Sequence, residues 1–324
     1  MKNPKHTLGI DIGGTKILCA VAGKGGKVLG RGKQKTGPGD PERLLGRLQI
    51  AVDKALEDSA VNREDIDCIG LGFPGPLDPW KGIVHEAVNL PGWEDYPLTE
   101  RISEMYDRPT FLDNDVNVGT LAEALVGAGK GAQNVIGIFL GTGVGGGIVL
   151  GGKIYHGTPG TAGEIGHVII KHNGPPGPRG LRGSVEALAS RNGIVADIKR
   201  QIKKGKKCIL KDALTDESKI GSKALAKAYN QKDPVVVKSI DMASEYVGVL
   251  IGSLVNLLAP DVIVLGGGMI EALPEAILSQ AKKVGKQIAF EKPWKSVFIE
   301  RAALGDDAGA VGAGLMARQR YEQE

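Results

Sequence analysis

The sequence predicts an α/β protein of two similar lobes with a cleft between them, and three observations carry that prediction. An apolar run, Leu8-Gly9-Ile10, breaks into Asp11-Ile12-Gly13-Gly14-Thr15-Lys16 and resumes as Ile17-Leu18-Cys19-Ala20-Val21. The same arrangement returns as Ile136 to Leu140, a turn at Gly141-Thr142-Gly143, and a run from Val144 to Val149. Strand and helix patterns follow each copy, so the second half of the chain restarts the first.

Taken in order, the first turn joins strands at about residues 7–12 and 17–23, and a third strand spans Val28 to Gln34. Pro41 suits the first turn of a helix, whose one face carries Leu44, Leu45, Leu48, Ala51, Val52, Ala55 and Leu56. Ile66 to Phe73 has the pattern of a buried strand, closed by the turn signal Pro74-Gly75-Pro76. Residues 77–98 read as loop and 98–106 as helix. A short strand, Thr110-Phe111-Leu112, then delivers Asp113-Asn114-Asp115 at its carboxyl end, where α/β folds place their sites. A helix rich in Ala and Leu follows over about 116–127. In the second half, strands flank the second turn and residues 155–183 read as loop. The longest helix enters at Asp233-Pro234 and runs to about Leu258. Val262 to Leu265 is a strand ending in Gly266-Gly267-Gly268, and a last helix begins near Asp307.

Composition excludes several classes. A chain of 324 residues with 42% hydrophobic content supports a sizeable core, and its length favours about two domains. The 49 glycines lack a short period, which rules out collagen-like and low-complexity chains. A net charge of +4 does not demand nucleic acid, and the basic run from Lys199 to Lys207 reads as a solvated helix end. Cys19, Cys68 and Cys208 are scattered, which argues against a disulfide framework and for a reducing cytoplasm. The few residues before the first strand leave no room for a signal peptide. The stretch from Val247 to Ala259 is too short, and too interrupted by Gly248, Gly252, Ser253 and Asn256, to span a bilayer. The expectation is a soluble cytoplasmic protein with neither nucleic acid nor membrane as partner.

The glycine turns point to phosphate. A turn with almost no side chains lets backbone N–H groups approach a phosphate closely. The second turn region has five glycines in positions 141–147, and glycine costs roughly 0.5–1 kcal/mol in a strand relative to alanine. Close approach of a ligand explains such a stretch. Gly266-Gly267-Gly268, after a buried strand, suits a flat adenine or its ribose. Neither a Walker lysine motif nor a protein-kinase catalytic loop is present. Two glycine hairpins with Asn114-Asp115 between them in sequence indicate a phosphotransferase. Asp115 is the candidate base, since transfer to an alcohol needs a carboxylate that accepts the hydroxyl proton. Asp113 or Asn114 could serve in its place, and Asp113 or Asp115 could instead cap the following helix. Glu164, His167 and Glu186 lie in loop-rich surroundings and could hydrogen-bond sugar hydroxyls or, alternatively, bind a metal.

These motifs resemble, in order and over nearly the whole chain, those of the ROK family within the actin-like/hexokinase-like (ribonuclease H-like, duplicated) superfamily. The likeness runs from Leu8–Lys16 through Pro74-Gly75-Pro76, Asn89-Leu90-Pro91-Gly92-Trp93, Asn114-Asp115-Val116-Asn117 and Leu140–Gly143 to Gly163-Glu164-Ile165-Gly166-His167 and Gly266–Gly268. The resemblance implies a small lobe of residues 1–117 plus about 303–324 and a large lobe of 118–302. It implies an ATP-dependent hexokinase type of reaction with Asp115 as the base. Asn114, Glu164, His167, Glu186, Pro74, Gly75 and Asn89 match sugar-binding positions. Asp11, Gly13, Gly14, Thr15, Lys16, Gly141, Thr142, Gly143, Gly266, Gly267 and Gly268 match nucleotide-binding ones, with Mg²⁺ accompanying ATP. Zinc-containing members place cysteines ten, twelve and seventeen residues after the histidine, where this chain has Gly177, Arg179 and Ser184. A structural zinc is therefore not expected. The loop is expected to be held otherwise, by Arg179 or Arg182 pairing with a carboxylate and by Pro175, Pro176 and Pro178 stiffening it.

The function these residues imply is a hexose kinase, foremost a glucokinase. Alternatives are a kinase for N-acetylmannosamine, fructose or allose, or one that uses polyphosphate. ROK-type repressors carry an N-terminal helix-turn-helix segment, for which the few residues before the first strand leave no space. A sugar-binding protein without catalysis would have no need of Asp115. The resemblance also suggests a homodimer.

Overall fold

In the computed structural model, which describes residues 3–86, 92–212 and 220–324, the first glycine turn joins two antiparallel strands, β1 (His6–Ile12) and β2 (Lys16–Ala22). β3 (Val28–Lys35) pairs with β2. Helix α1 (Pro41–Ser59) begins where Pro41 sets φ and the Asp40 side chain accepts from the Arg43 N–H. The face it buries is the predicted one, Leu44 through Ala55. β4 (Ile66–Phe73) runs parallel to β1. The stretch predicted as loop contains a small ribbon of β5 (Leu77–Asp78) and β6 (Ile83–Val84). Then come α2 (Leu98–Tyr106), β7 (Thr110–Asn114) parallel to β4, and α3 (Asp115–Leu125). The sheet order is β3-β2-β1-β4-β7.

The second glycine turn joins β8 (Val135–Leu140) to β9 (Val144–Leu150), and β10 (Lys153–Ile154) follows. After a long irregular stretch the chain forms α4 (Val185–Ala189), α5 (Arg191–Lys203), α6 (Ser222–Asn230) and α7 (Pro234–Leu258). β11 (Val262–Gly266), α8 (Gly268–Ala272), α9 (Pro274–Ile288), α10 (Glu291–Ser296), β12 (Phe298–Arg301) and α11 (Ala308–Tyr321) complete it. The second sheet, β10-β9-β8-β11-β12, repeats the order of the first: three consecutive strands, then two crossover strands.

Two compact units emerge, one of residues 1–137, 147–163 and 303–324, the other of 138–146 and 164–302. In the first unit Leu8, Ile10, Ile69, Leu71, Phe73 and Trp93 are fully enclosed, each such large side chain contributing about 1.5–3 kcal/mol. Helix α11 lies so close on this sheet that a Cβ at Gly9 would stand 1.8 Å from the Ala310 carbonyl oxygen, and one at Gly70 1.8 Å from that of Ala313. Much of the glycine excess therefore serves helix–sheet contact. In the second unit α7 is apolar on most sides because α4, α5, α6 and α9 surround it. Its N-terminus is capped by Asp233, which accepts from the N–H groups of Val235 and Val236. Among the described residues no helix is long and apolar enough to cross a membrane.

Candidate active site

In the first unit Asp11 ends β1, and its carboxyl rests against Gly309 at the start of α11, where a Cβ would be 2.5 Å from Asp11 Cγ. Burial, then the nearby Asp115 charge, push the Asp11 pKa up to about 7, with Lys16 opposing the shift. The turn itself is closed by the Gly13 N–H donating to the Lys16 carbonyl at 3.0 Å. Thr36 supports it from outside, its Oγ1 donating to the Gly13 carbonyl at 2.5 Å and its N–H to that of Thr15 at 3.1 Å. Gly14 and Thr15 are exposed, and a Cβ at Gly14 would meet nothing within 4 Å. Lys16 pairs with Asp306 at 2.5 Å, and this contact holds the Asp306 carboxyl below its usual range. Asp306 was not among the sequence candidates, and no local signal marks it.

Asp115 is the first residue of α3, and its Oδ1 accepts from the Val116 N–H at 2.9 Å. The helix cap is neither Asp113 nor Asp115, as the sequence suggested, but Asn114: its Oδ1 accepts from Val116 N at 2.9 Å and Asn117 N at 3.3 Å. That bond orients the Asn114 amide with its NH₂ directed away from the helix end. Gly72 on β4 packs under this helix start: a Cβ there would stand 2.9 Å from Val118 Cγ2 and in ordinary contact with Asp115 Cα at 3.5 Å and Asp11 Oδ1 at 3.7 Å. Pro74 and Gly75 form the turn after β4, with Gly75 at φ +108° and a Cβ position 2.9 Å from the Glu86 carbonyl oxygen. Asn89 lies outside the described residues.

The second unit holds the other candidates. The Gly141-Thr142-Gly143 turn closes through Gly141 N–H to Gly143 O at 2.9 Å, and a Cβ at Gly141 would meet nothing within 4 Å. Arg191, absent from the sequence candidates, leans on this turn: its Nη2 donates to Thr142 Oγ1 at 2.8 Å and its backbone N–H to Gly141 O at 2.9 Å. Glu186, in the first turn of α4, accepts from the Val144 N–H at 2.8 Å, and a Cβ at Gly143 would stand 2.2 Å from Glu186 Oε2, so a side chain there would push this carboxylate aside. Glu164 and His167 are 3.8 Å apart, and His167 Nδ1 is buried with no hydrogen-bond partner found for it.

Three glycines proposed as ligand contacts are also constrained by packing. A Cβ at Gly147, which lies inside β9, would be 2.3 Å from Thr120 Oγ1 on α3. One at Gly266 would strike the Phe139 ring at 2.7 Å. A Cβ at Gly267, which has φ +86°, would stand 2.6 Å from the Leu140 carbonyl oxygen. Gly268 opens α8, and a Cβ there would be 3.3 Å from Ser222 Oγ. Among the candidate glycines of the two hairpins and the 266–268 turn, Gly14 and Gly141 are the ones at which a Cβ would meet nothing within 4 Å.

The cysteine-free loop is held by backbone pairing. Ile169 pairs with Ser184 and Pro176 with Arg182 in antiparallel bridges, and the Gly183 carbonyl accepts from both Ile170 and Lys171. Ser184, at a cysteine position of zinc-containing members, caps α4 through Oγ, which accepts from Ala187 N at 3.2 Å. The Arg182 side chain is exposed, and a pairing by Arg179 lies outside the described side chains.

A duplicated five-stranded unit with a glycine hairpin in each copy, and an aspartate opening the helix after β7, defines an α/β fold of the hexokinase-like class. The ROK family profile matches residues 7–320, and the chain belongs to the ROK family. It is 34% identical to a glucokinase of Halalkalibacterium halodurans over 97% of this chain and 95% of that one. The fold superposes on a ROK hexokinase of Thermus thermophilus with a TM-score of 0.82 at 32% identity, covering 98% and 100% of the two chains. A ROK family glucokinase of Streptomyces griseus, solved with glucose and AMPPNP, gives a TM-score of 0.78 at 31% identity, covering 97% and 99%.

Proposed function

We propose that this ROK protein transfers the γ-phosphoryl group of ATP to the 6-hydroxyl of a hexose, with glucose as its main substrate. The observation that carries the reading is Asp115 at the head of α3, beside the capping residue Asn114 and near the carboxyl of Asp11. Attack of the sugar oxygen on the γ-phosphorus forms one O–P bond and breaks the bond to the ADP oxygen. The hydroxyl proton passes to the Asp115 carboxylate. Asn114 offers its amide to a neighbouring hydroxyl. Glu164, Glu186 and the partnerless Nδ1 of His167 suit further hydroxyls, since a carboxylate accepts from two adjacent OH groups.

The open hairpin tips at Gly14 and Gly141 suit phosphate oxygens, with Lys16 and Arg191 supplying positive charge. Gly268 stays a candidate for the nucleoside, while Gly266 and Gly267 support that site through packing. Mg²⁺ would enter with ATP as its chelate and neutralise the phosphate charge. The crowded negative charge of Asp11, Asp115 and Asp306 fits such a dication. Glucose is favoured because the Halalkalibacterium and Streptomyces relatives are glucokinases. A cytoplasmic homodimer completes the proposal, with the free thiols of Cys19, Cys68 and Cys208 suiting a reducing compartment.

The test is a coupled assay over glucose, N-acetylmannosamine, fructose and allose, each with Mg²⁺-ATP or polyphosphate. The highest kcat/KM is expected for glucose with ATP. Preference for another hexose or for polyphosphate would reassign the substrate. Binding of glucose without any transfer would leave a sugar-responsive regulator.

A further inference from the structure

Asp113 precedes the proposed sugar and base residues directly and is 1% exposed. Its carboxylate takes four hydrogen bonds. Oδ2 accepts from His156 Nε2 at 2.6 Å and from Arg320 Nη2 at 2.9 Å. Oδ1 accepts from the Asn114 N–H at 2.9 Å and from Asn117 Nδ2 at 3.1 Å. A carboxylate only accepts, so His156 carries a proton on Nε2.

The partners are fixed in turn. Arg320 Nη1 donates to the carbonyls of Pro79 and Leu112 at 2.9 and 3.2 Å, and its guanidinium sits 5.2 Å from the centre of the Trp80 ring. The His156 ring meets the same indole edge-on at 4.7 Å. The His156 carbonyl accepts from the Ala162 N–H at 2.9 Å, closing a loop whose exit is Gly163-Glu164. One carboxylate therefore ties together the end of β7, the first turn of α3, the helix α11 and the loop after β10. Between its tie points on β7 and α3 stand Asn114, Asp115 and Val116.

A buried ion pair is a poor way to gain stability, because apolar side chains of like volume often do as well. What it adds is direction, since each bond has a preferred distance and angle. We propose that Asp113, clamped by His156 and Arg320, is a positioning residue that sets the backbone of Asn114 and Asp115 for in-line transfer. Through His156 it also links that setting to the loop leading to Glu164. The inference rests on Asp115 being the base.

Asp113→Asn, His156→Ala and His156→Gln are compared with wild type and with Asp115→Asn. The readouts are kcat, KM for ATP and for glucose, thermal melting, and hydrogen exchange of the peptide covering residues 110–120. Asp113→Asn and His156→Ala are expected to lower kcat by ~10–100-fold, as misplacement by an ångström does, and to leave KM for ATP near its wild-type value. Exchange over residues 114–118 should quicken. His156→Gln, which keeps an N–H donor, should recover most of kcat. A lower melting temperature with unchanged kcat and unchanged exchange would make the cluster a structural brace and overturn the proposal. Failure of the kinase reading shows differently, as an Asp115→Asn enzyme that turns over normally or a wild type that transfers to no hexose. In that event unchanged exchange at 114–118 in the Asp113 and His156 variants still refutes the positioning role.

Discussion

Asp115 and Glu186 illustrate how much one side chain can decide. Removing the Asp115 carboxylate takes away the proposed proton acceptor and leaves the hairpin sequences unchanged. Asp115→Ala is expected to lower kcat by ~10²–10⁴-fold with little change in KM for ATP, measured in the coupled assay. Near-normal turnover would assign the base elsewhere. Glu186, proposed above as a sugar ligand, is engaged with the glycine hairpin through the Val144 N–H. A glutamine can keep that bond through its carbonyl oxygen while losing the charge. Glu186→Gln should therefore weaken sugar binding more than ATP binding, and calorimetry with each ligand separates the two. A loss confined to ATP would place Glu186 in the phosphate site.

At the scale of elements, the glycines of the two hairpins divide by what stands opposite them. A methyl group at Gly147 would collide with Thr120 on α3, the helix that begins with Asp115. Gly147→Ala should cost about 1–3 kcal/mol by denaturant unfolding and lower kcat as α3 shifts. Gly14→Ala meets no protein atom within 4 Å, so stability should stay within about 0.5 kcal/mol while KM for ATP rises. The reverse pattern would make Gly147 the ligand contact and Gly14 the packing one.

That division was invisible to sequence, because a glycine forced by a neighbouring helix and one kept for a ligand look alike. Strands β1 to β4 and helices α1 and α7 were legible because their apolar periods are long and their caps are local, Asp40-Pro41 and Asp233-Pro234. The ribbon of β5 and β6 has two residues per strand, too few for a period to show. The candidates the sequence offered, Asp11 to Lys16 and Asn114-Asp115, are those with local signatures. Thr36, Arg191 and Asp306 escaped, since each acts through a partner far along the chain. Glu123 did leave a trace, as the one charge beyond the first turn of α3. Fully buried, it accepts from the N–H groups of Ala303 and Leu304.

For the molecule as a whole, the raised pKa of Asp11 couples stability to pH. The folded state holds this proton up to about pH 7, whereas the unfolded chain releases it near 3.8. The stabilising contribution is therefore full below the lower value and lost as pH rises through the upper one. Melting curves of wild type and Asp11→Asn should diverge between pH 4 and 7, the variant gaining relative to wild type as pH rises. Parallel curves would show that Asp11 titrates normally. The backbone-paired loop from Val168 to Val185 makes a second global statement. Protein purified without chelators should contain no stoichiometric zinc by elemental analysis, and one bound equivalent would contradict it.

The close seat of α11 on Gly9 and Gly70 also bears on how the protein is made. Strands β1 and β4 leave the ribosome long before α11, the helix that covers one face of their sheet. Until residues 308–321 emerge, the first unit waits with an apolar face bare. The second unit, whose segments are all synthesised by residue 302, is the part positioned to settle first. A nascent chain stalled short of α11 would expose that face to chaperones and proteases.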